Sequence, residues 1–177
     1  MTIAPNGTST TARLTVPPLT TADPTGVRHA YATAISCPTT NFCAAIADSG
    51  TESYRSRPIA EVLSGGSWTA LELPLPAGAP LATLTSISCP AAGVCVAVGS
   101  YYPPTSTGAS ANLVETLTGG RWSARRVPNA AVGDNSLAAV SCAAVGSCVA
   151  VGTGSHGPYA LRLASGDWTP GALPAPP

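Results

Sequence analysis

The sequence predicts an all-β chain: three copies of a four-stranded unit with half a copy before them. Three observations predict it. Paired cysteines recur at a near-constant interval, Cys89 following Cys37 by 52 residues and Cys142 following Cys89 by 53. Each trailing cysteine opens a short run of small and β-branched residues, the composition of a strand. Gly and Pro, 18 of each in 177 residues, punctuate the chain too often for long helices.

Along the chain, the half copy comes first. Asn6-Gly7 offers a turn, and Thr11-Ala12-Arg13-Leu14-Thr15-Val16-Pro17 lines up with Trp68-Thr69-Ala70-Leu71-Glu72-Leu73-Pro74, so residues 1–17 read as the outer hairpin of a partial unit. Residues 18–76, 77–129 and 130–177 are the whole units, together one domain. In each, a first strand ends at the leading cysteine, as in residues 83–88 of the second copy. The second strand follows the trailing cysteine: Cys43-Ala44-Ala45-Ile46-Ala47, Cys95-Val96-Ala97-Val98-Gly99 and Cys148-Val149-Ala150-Val151-Gly152. The third is Ile59-Ala60-Glu61-Val62-Leu63, Leu113-Val114-Glu115-Thr116-Leu117 or Tyr159-Ala160-Leu161-Arg162-Leu163. A turn suited to a hairpin precedes the fourth: Gly65-Gly66-Ser67-Trp68, Gly119-Gly120-Arg121-Trp122 and Gly166-Asp167-Trp168. Pro74, Pro128 and Pro174 each follow the Trp by six residues.

Four-stranded units of this length, with Trp at one fixed place, fit the blades of a β-propeller. The expected fold is a propeller-like array of three four-stranded blades plus a half blade at the N-terminus. A β-trefoil is the alternative, since it also repeats four strands three times. It has no use for an extra outer strand at residues 11–17, and the interval between copies is long for it. The chain resembles bacterial, mainly actinobacterial, propeller-like repeats in which Ser-Cys-Pro leads into Cys-Val-Ala-Val-Gly and later into a Gly-x-Trp hairpin. Ser88-Cys89-Pro90, Cys95-Val96-Ala97-Val98-Gly99 and Gly120-Arg121-Trp122-Ser123 match most fully, whereas Ala143 after Cys142 and Ile46-Ala47-Asp48 depart from the pattern. The resemblance implies no catalytic residue. Propellers have about four to eight blades, so three blades need partners: two chains forming a six-bladed ring, or an open flank prone to association.

Eight Lys+Arg balance eight Asp+Glu, and charged residues are 9% of the chain. That argues against nucleic-acid binding and against a polybasic membrane patch. No apolar run approaches the roughly 20 residues of a membrane span. The first ten residues carry no basic region, apolar stretch or cleavage site, so no secretory signal is read in the chain as written. Six cysteines nonetheless point to disulfides and an oxidising compartment. Both readings hold for a mature product or a piece of a longer exported protein, which places the chain outside the cell or on its surface. Five residues between partners across adjacent strands bring Cys37 to Cys43, Cys89 to Cys95 and Cys142 to Cys148. Each such ring adds about 2 kcal/mol of stability. Zinc would want two residues between ligands and accompanying His, and a redox dithiol the shorter Cys-x-x-Cys, so neither a metal nor a cofactor is expected.

Trp68, Trp122 and Trp168 read as packing between units, with a sugar-stacking platform as the alternative. Glu61 and Glu115 occupy one repeat position, taken by Arg162 in the third copy, and read as solvent-facing strand charges. Carboxylates that hydrolyse a glycoside must stand about 5 to 10 Å apart, which separate units do not offer. Ser165-Gly166-Asp167-Trp168 is similar to the Asp-box turn of sialidases, but the other two turns lack the acid. His29 and His156 are isolated, and no Gly-x-Ser-x-Gly, phosphate loop or His-Glu-x-x-His run occurs, so the chain is not expected to be an enzyme. The connections between second and third strands, residues 48–58, 100–112 and 153–158, vary most and would share a face with the links between units. Tyr54, Arg55, Arg57, Tyr101, Tyr102, His156 and Tyr159 would gather there, suited to a glycan or a protein partner; ordinary solvated loop residues is the plainer account. The expected function is a non-catalytic exported binding module. The alternative is a structural, self-associating segment of a larger surface protein.

Overall fold

Fourteen strands supply all the regular structure of the described residues. The computed structural model describes residues 2–3, 9–10, 29–50, 57–104, 108–129, 133–171 and 173. Strands β1 (Thr2–Ile3) and β2 (Ser9–Thr10) pair as a minimal hairpin. The first large sheet contains β3 (His29–Thr39), β4 (Phe42–Gly50), β5 (Arg57–Ser64) and β6 (Ser67–Glu72). The second contains β7 (Ala82–Ala91), β8 (Val94–Tyr101), β9 (Ala111–Thr118) and β10 (Arg121–Arg126). The third contains β11 (Asn135–Ala144), β12 (Ser147–Gly154), β13 (Gly157–Ala164) and β14 (Asp167–Gly171). Each is an antiparallel meander in which strands pair only with their neighbours in the chain. Three four-stranded units are therefore present, as the repeat predicts. Of the partial unit, only Thr2–Ile3 and Ser9–Thr10 are described, and the strand expected at residues 11–17 lies outside the described residues.

Local chemistry explains the meander. The third hairpin turn of each sheet has positive φ at both central residues: Gly65 and Gly66 at 59° and 81°, Gly119 and Gly120 at 59° and 76°, Ser165 and Gly166 at 54° and 89°. That backbone matches the twist of the strands it joins and favours glycine. Each first strand bends at one repeated place, with the pairing slipping between Ala32 and Ala34, Leu84 and Ser86, and Leu137 and Ala139. These are β-bulges, which sharpen local twist. The first strand was expected to stop at the leading cysteine, yet β7 runs on through Cys89 and Pro90 to Ala91. A second slip there leaves a place for Pro90, which has no N–H for a ladder. Disulfides Cys37–Cys43, Cys89–Cys95 and Cys142–Cys148 staple first strand to second inside every sheet, with Cα atoms 4.1, 4.0 and 4.0 Å apart.

The sheets pack in chain order, and the leading strand of each makes the junction: β7 lies against β3, β4 and β5, and β11 against β7, β8 and β9. Alternation then assigns the two faces. Phe42, Ala44, Ile46 and Ala60 of the first sheet form one buried cluster with Leu84, Ile87, Cys95, Ala97, Leu113, Leu117 and Trp122 of the second. The opposite face of the second sheet, Val96, Val98 and Val114, forms another with Leu137, Val140, Ala150, Leu161 and Trp168 of the third. Trp122 and Trp168 are thus inter-sheet packing residues. The junctions are also pinned by hydrogen bonds at one repeated position. Ser36 Oγ accepts from the Cys89 amide and Ser88 Oγ from the Cys142 amide, both at 3.0 Å, while Ser86 Oγ accepts from the Val140 amide at 3.1 Å. The Thr85 hydroxyl, at the bulge, lies 3.0 Å from Val98 O and 2.7 Å from Leu137 O. Ser36 and Ser88, each just before a leading cysteine, therefore help set how the next sheet docks.

Candidate functional site

All connections between second and third strands emerge at the same end of the sheets as the links from one sheet to the next, because β6 and β10 finish beside the starts of β5 and β9. This connector end is held by a polar network. Asn112 is buried on β9; its side-chain amide donates to Pro128 O at 2.9 Å and its amide oxygen accepts from the Tyr159 hydroxyl. Burial pushes the Tyr159 phenol above its ordinary range, opposed by that hydrogen bond. Nearby, Ser110 N donates to Asp134 Oδ1 at 2.8 Å, and the Asn135 amide donates to Ser110 O at 3.1 Å. The loop end between the second and third sheets is therefore a fixed rim.

The seven residues expected to gather there separate. Tyr54 and Arg55 lie outside the described residues. Tyr101 is buried, 4% exposed, with the Arg126 guanidinium 5.7 Å from its ring centre, and Tyr159 is buried at 6%. Both rings are therefore spent on packing and are corrected from loop-face residues to core residues. The cause is alternation: Tyr101 shares a face with Cys95 and Ala97, and Tyr159 with Leu161, so β8 and β13 carry them inward. Tyr102, 40% exposed, and His156, in the turn between β12 and β13, remain on the surface. Arg57 opens β5 and pairs with Glu72 at 3.2 Å.

Arg57 also borders an open cleft of about 530 Å³ between the first and second sheets, with Glu72, Leu73, Leu75, Arg121 and Trp122 around it. This is the concavity that contains one of the expected residues. Its lining combines guanidinium and carboxylate groups with apolar side chains, a surface that can take hydrogen-bonding and apolar parts of one ligand.

Glu61 and Glu115 overturn a second expectation. Neither faces solvent: Glu61 is 5% exposed and Glu115 fully buried. Glu61 Oε2 and both oxygens of Glu115 have no hydrogen-bond partner among the described residues. Burial raises the Glu61 carboxyl and pushes that of Glu115 up to about 8, so Glu115 is largely protonated at neutral pH. The register also corrects the third copy. Leu63, Leu117 and Leu163 pair with the trailing cysteines, which makes Leu161, not Arg162, the counterpart of the two glutamates. Asp167, of the Asp-box-like turn, is exposed and pairs with Arg125 at 2.8 Å. Among the described residues no three His, Cys, Asp or Glu side chains are grouped to hold a metal ion. His29 lies at the start of β3, away in sequence and sheet from His156.

Comparison with protein-family models, curated proteins and solved structures gave no match. The three disulfides fit an oxidising environment. No helix among the described residues is long and apolar enough to cross a membrane.

Proposed function

We propose that this chain is a non-catalytic, exported module of the propeller-like class, a scaffold of disulfide-stapled blades that recognises a glycan or protein partner in a cleft between the connector end of its first sheet and the last hairpin turn of its second. The observation that carries this reading is the cleft lined by the Arg57–Glu72 pair and Arg121 together with Leu73, Leu75 and Trp122. Charged groups and apolar side chains lining one concavity are the usual make-up of a ligand site. The two buried glutamates stand on different sheets as repeat counterparts, which favours a structural role for them over paired acid–base work. Glycan and surface-protein screens of the purified protein, repeated with Arg57→Ala/Arg121→Ala, test this. Binding is expected to fall about tenfold or more with little change in thermal midpoint; undiminished binding removes the site.

A second reading, a self-associating structural repeat segment, is favoured by one specific observation. The flanks of the array expose residues whose counterparts inside it are buried, Ile35 at one end and Val149 and Val151 at the other.

A further inference from the structure

We infer that the free face of the third sheet is a docking seat for the leading strand β3 of a second copy of this chain, joined head to tail. The inference deepens the self-association reading and rests on it. Each internal junction has two halves. One is a trailing face built on second and third strands, Ala44, Ile46 and Ala60 in the first sheet and Val96, Val98 and Val114 in the second. The other is a leading strand that lies on it, with Leu84 and Ile87 or Leu137 and Val140 pointing down. Among the described residues, part of one trailing face and one leading strand is left exposed.

On the third sheet, Val149 and Val151 hold the places of Val96 and Val98 but are 45% and 38% exposed, against 5% and 0%. On the first sheet, Ile35 holds the place of Ile87 and Val140 but is 56% exposed, against 7% and 9%, and Ala32, also exposed, holds that of Leu84 and Leu137. The rest of that leading face, Cys43, Ala45, Ile59 and Leu63 among it, is already buried, so β3 is the part on offer. It is also the part whose backbone comes closest to the preceding sheet in each internal junction.

The polar register agrees. Ser36 and Ser88 take the amide of the next sheet's leading cysteine, and Ser141, exposed on β11, is their counterpart. The Cys37 amide of a second copy is the group that would reach it, as the Cys89 and Cys142 amides reach theirs. Two dissimilar patches that fit each other make a heterologous contact, which either closes into a ring or runs on as a filament. Covering aliphatic surface supplies the drive, and the serine sets the register.

Complementation tests this. Sedimentation velocity of the oxidised protein over a concentration series should show association that rises with concentration. Ile35→Lys, which spoils the leading half, and Val149→Lys, which spoils the trailing half, should each sediment as monomers. Mixed one to one, they should form a dimer and nothing larger, because one intact half survives on each. Ser141→Ala should weaken wild-type association roughly fivefold. Circular dichroism melts and disulfide mapping of every variant separate loss of contact from loss of fold. Where one lysine variant does not fold, Ile35→Ser and Val149→Ser take their places. Association that persists in both lysine variants overturns this seat while leaving self-association standing. A mixture that stays monomeric overturns the head-to-tail contact in favour of a symmetric one. A wild-type monomer at every concentration overturns both.

Discussion

The second and third sheets carry the same Cys-Val-Ala-Val-Gly segment in the same strand, yet Val96 and Val98 are buried while Val149 and Val151 are half exposed. Everything local is shared: the disulfide, the bulge, the hairpin and the pairing of trailing cysteine with leucine. The difference comes from what lies on the sheet. β11 covers the second sheet's trailing face, and no described strand covers the third's. Burial is thus a property of position in the array and not of the motif. A second contrast runs the other way, because Glu115 is buried in the second sheet at the place where the third has Leu161. The third sheet has the apolar residue that the core wants, and the second holds a carboxyl there without a partner among the described residues.

Making the second sheet resemble the third at that position should give the largest effect. Folded Glu115 keeps its proton up to about pH 8, whereas the ordinary value is 4.5. The folded state therefore binds the extra proton between those values, and stability falls as pH rises through that window. The slope is about 1.4 kcal/mol per pH unit, on the order of 5 kcal/mol over the whole window. Denaturant melts at pH 5 and pH 8 should show this loss in the wild type and little of it in Glu115→Leu, which should be the more stable protein at pH 8. Parallel profiles for the two proteins would mean that Glu115 does not carry the effect.

The glycine that ends the shared segment comes next. A Cβ on Gly99 would stand 2.0 Å from Thr83 O, and one on Gly152 would stand 2.3 Å from Ser136 O. Gly99→Ala and Gly152→Ala should each cost about 3 kcal/mol in guanidinium midpoints. The first sheet already has Ala47 at that place, so Ala47→Gly should cost under about 1 kcal/mol. An equal penalty in all three sheets would erase this distinction between them.

The valines test the comparison directly. Val98→Ala should destabilise by about 2 kcal/mol through lost burial and a cavity. Val151→Ala, measured in dilute protein, should cost under about 0.5 kcal/mol. A small effect of the opposite sign is expected at Ser165, which adopts the positive φ that glycine takes at Gly65 and Gly119. Ser165→Gly should raise stability by about 0.5 kcal/mol, enough to detect in a thermal melt.

Much of the fold was legible because its signals are local. Cysteine spacing within a unit, glycine pairs in turns and period-two runs act over a few residues, and the three sheets, their hairpins and their bridges follow from them. Two inward-facing polar positions carry a local signal of their burial. Leu113, Glu115 and Leu117 share a face by alternation, so a glutamate flanked by two leucines was already marked for the interior. The same count along β8 carries Tyr101 inward with Cys95 and Ala97. The Asn112–Tyr159 contact and the Ser110–Asp134 pair join residues far apart in the chain, and no local pattern announces them. The cleft beside Arg57 likewise exists only because β6 and β10 come from different sheets.

By itself the sequence determined the unit: where each strand starts, where it turns, and which cysteines meet, since a seven-residue ring and a two-residue turn leave the backbone few alternatives. Only the tertiary structure decided which copies of that unit are covered. Identical side chains gain or lose contact with water according to the sheet that lies across them, and the identity of that sheet is written elsewhere in the chain.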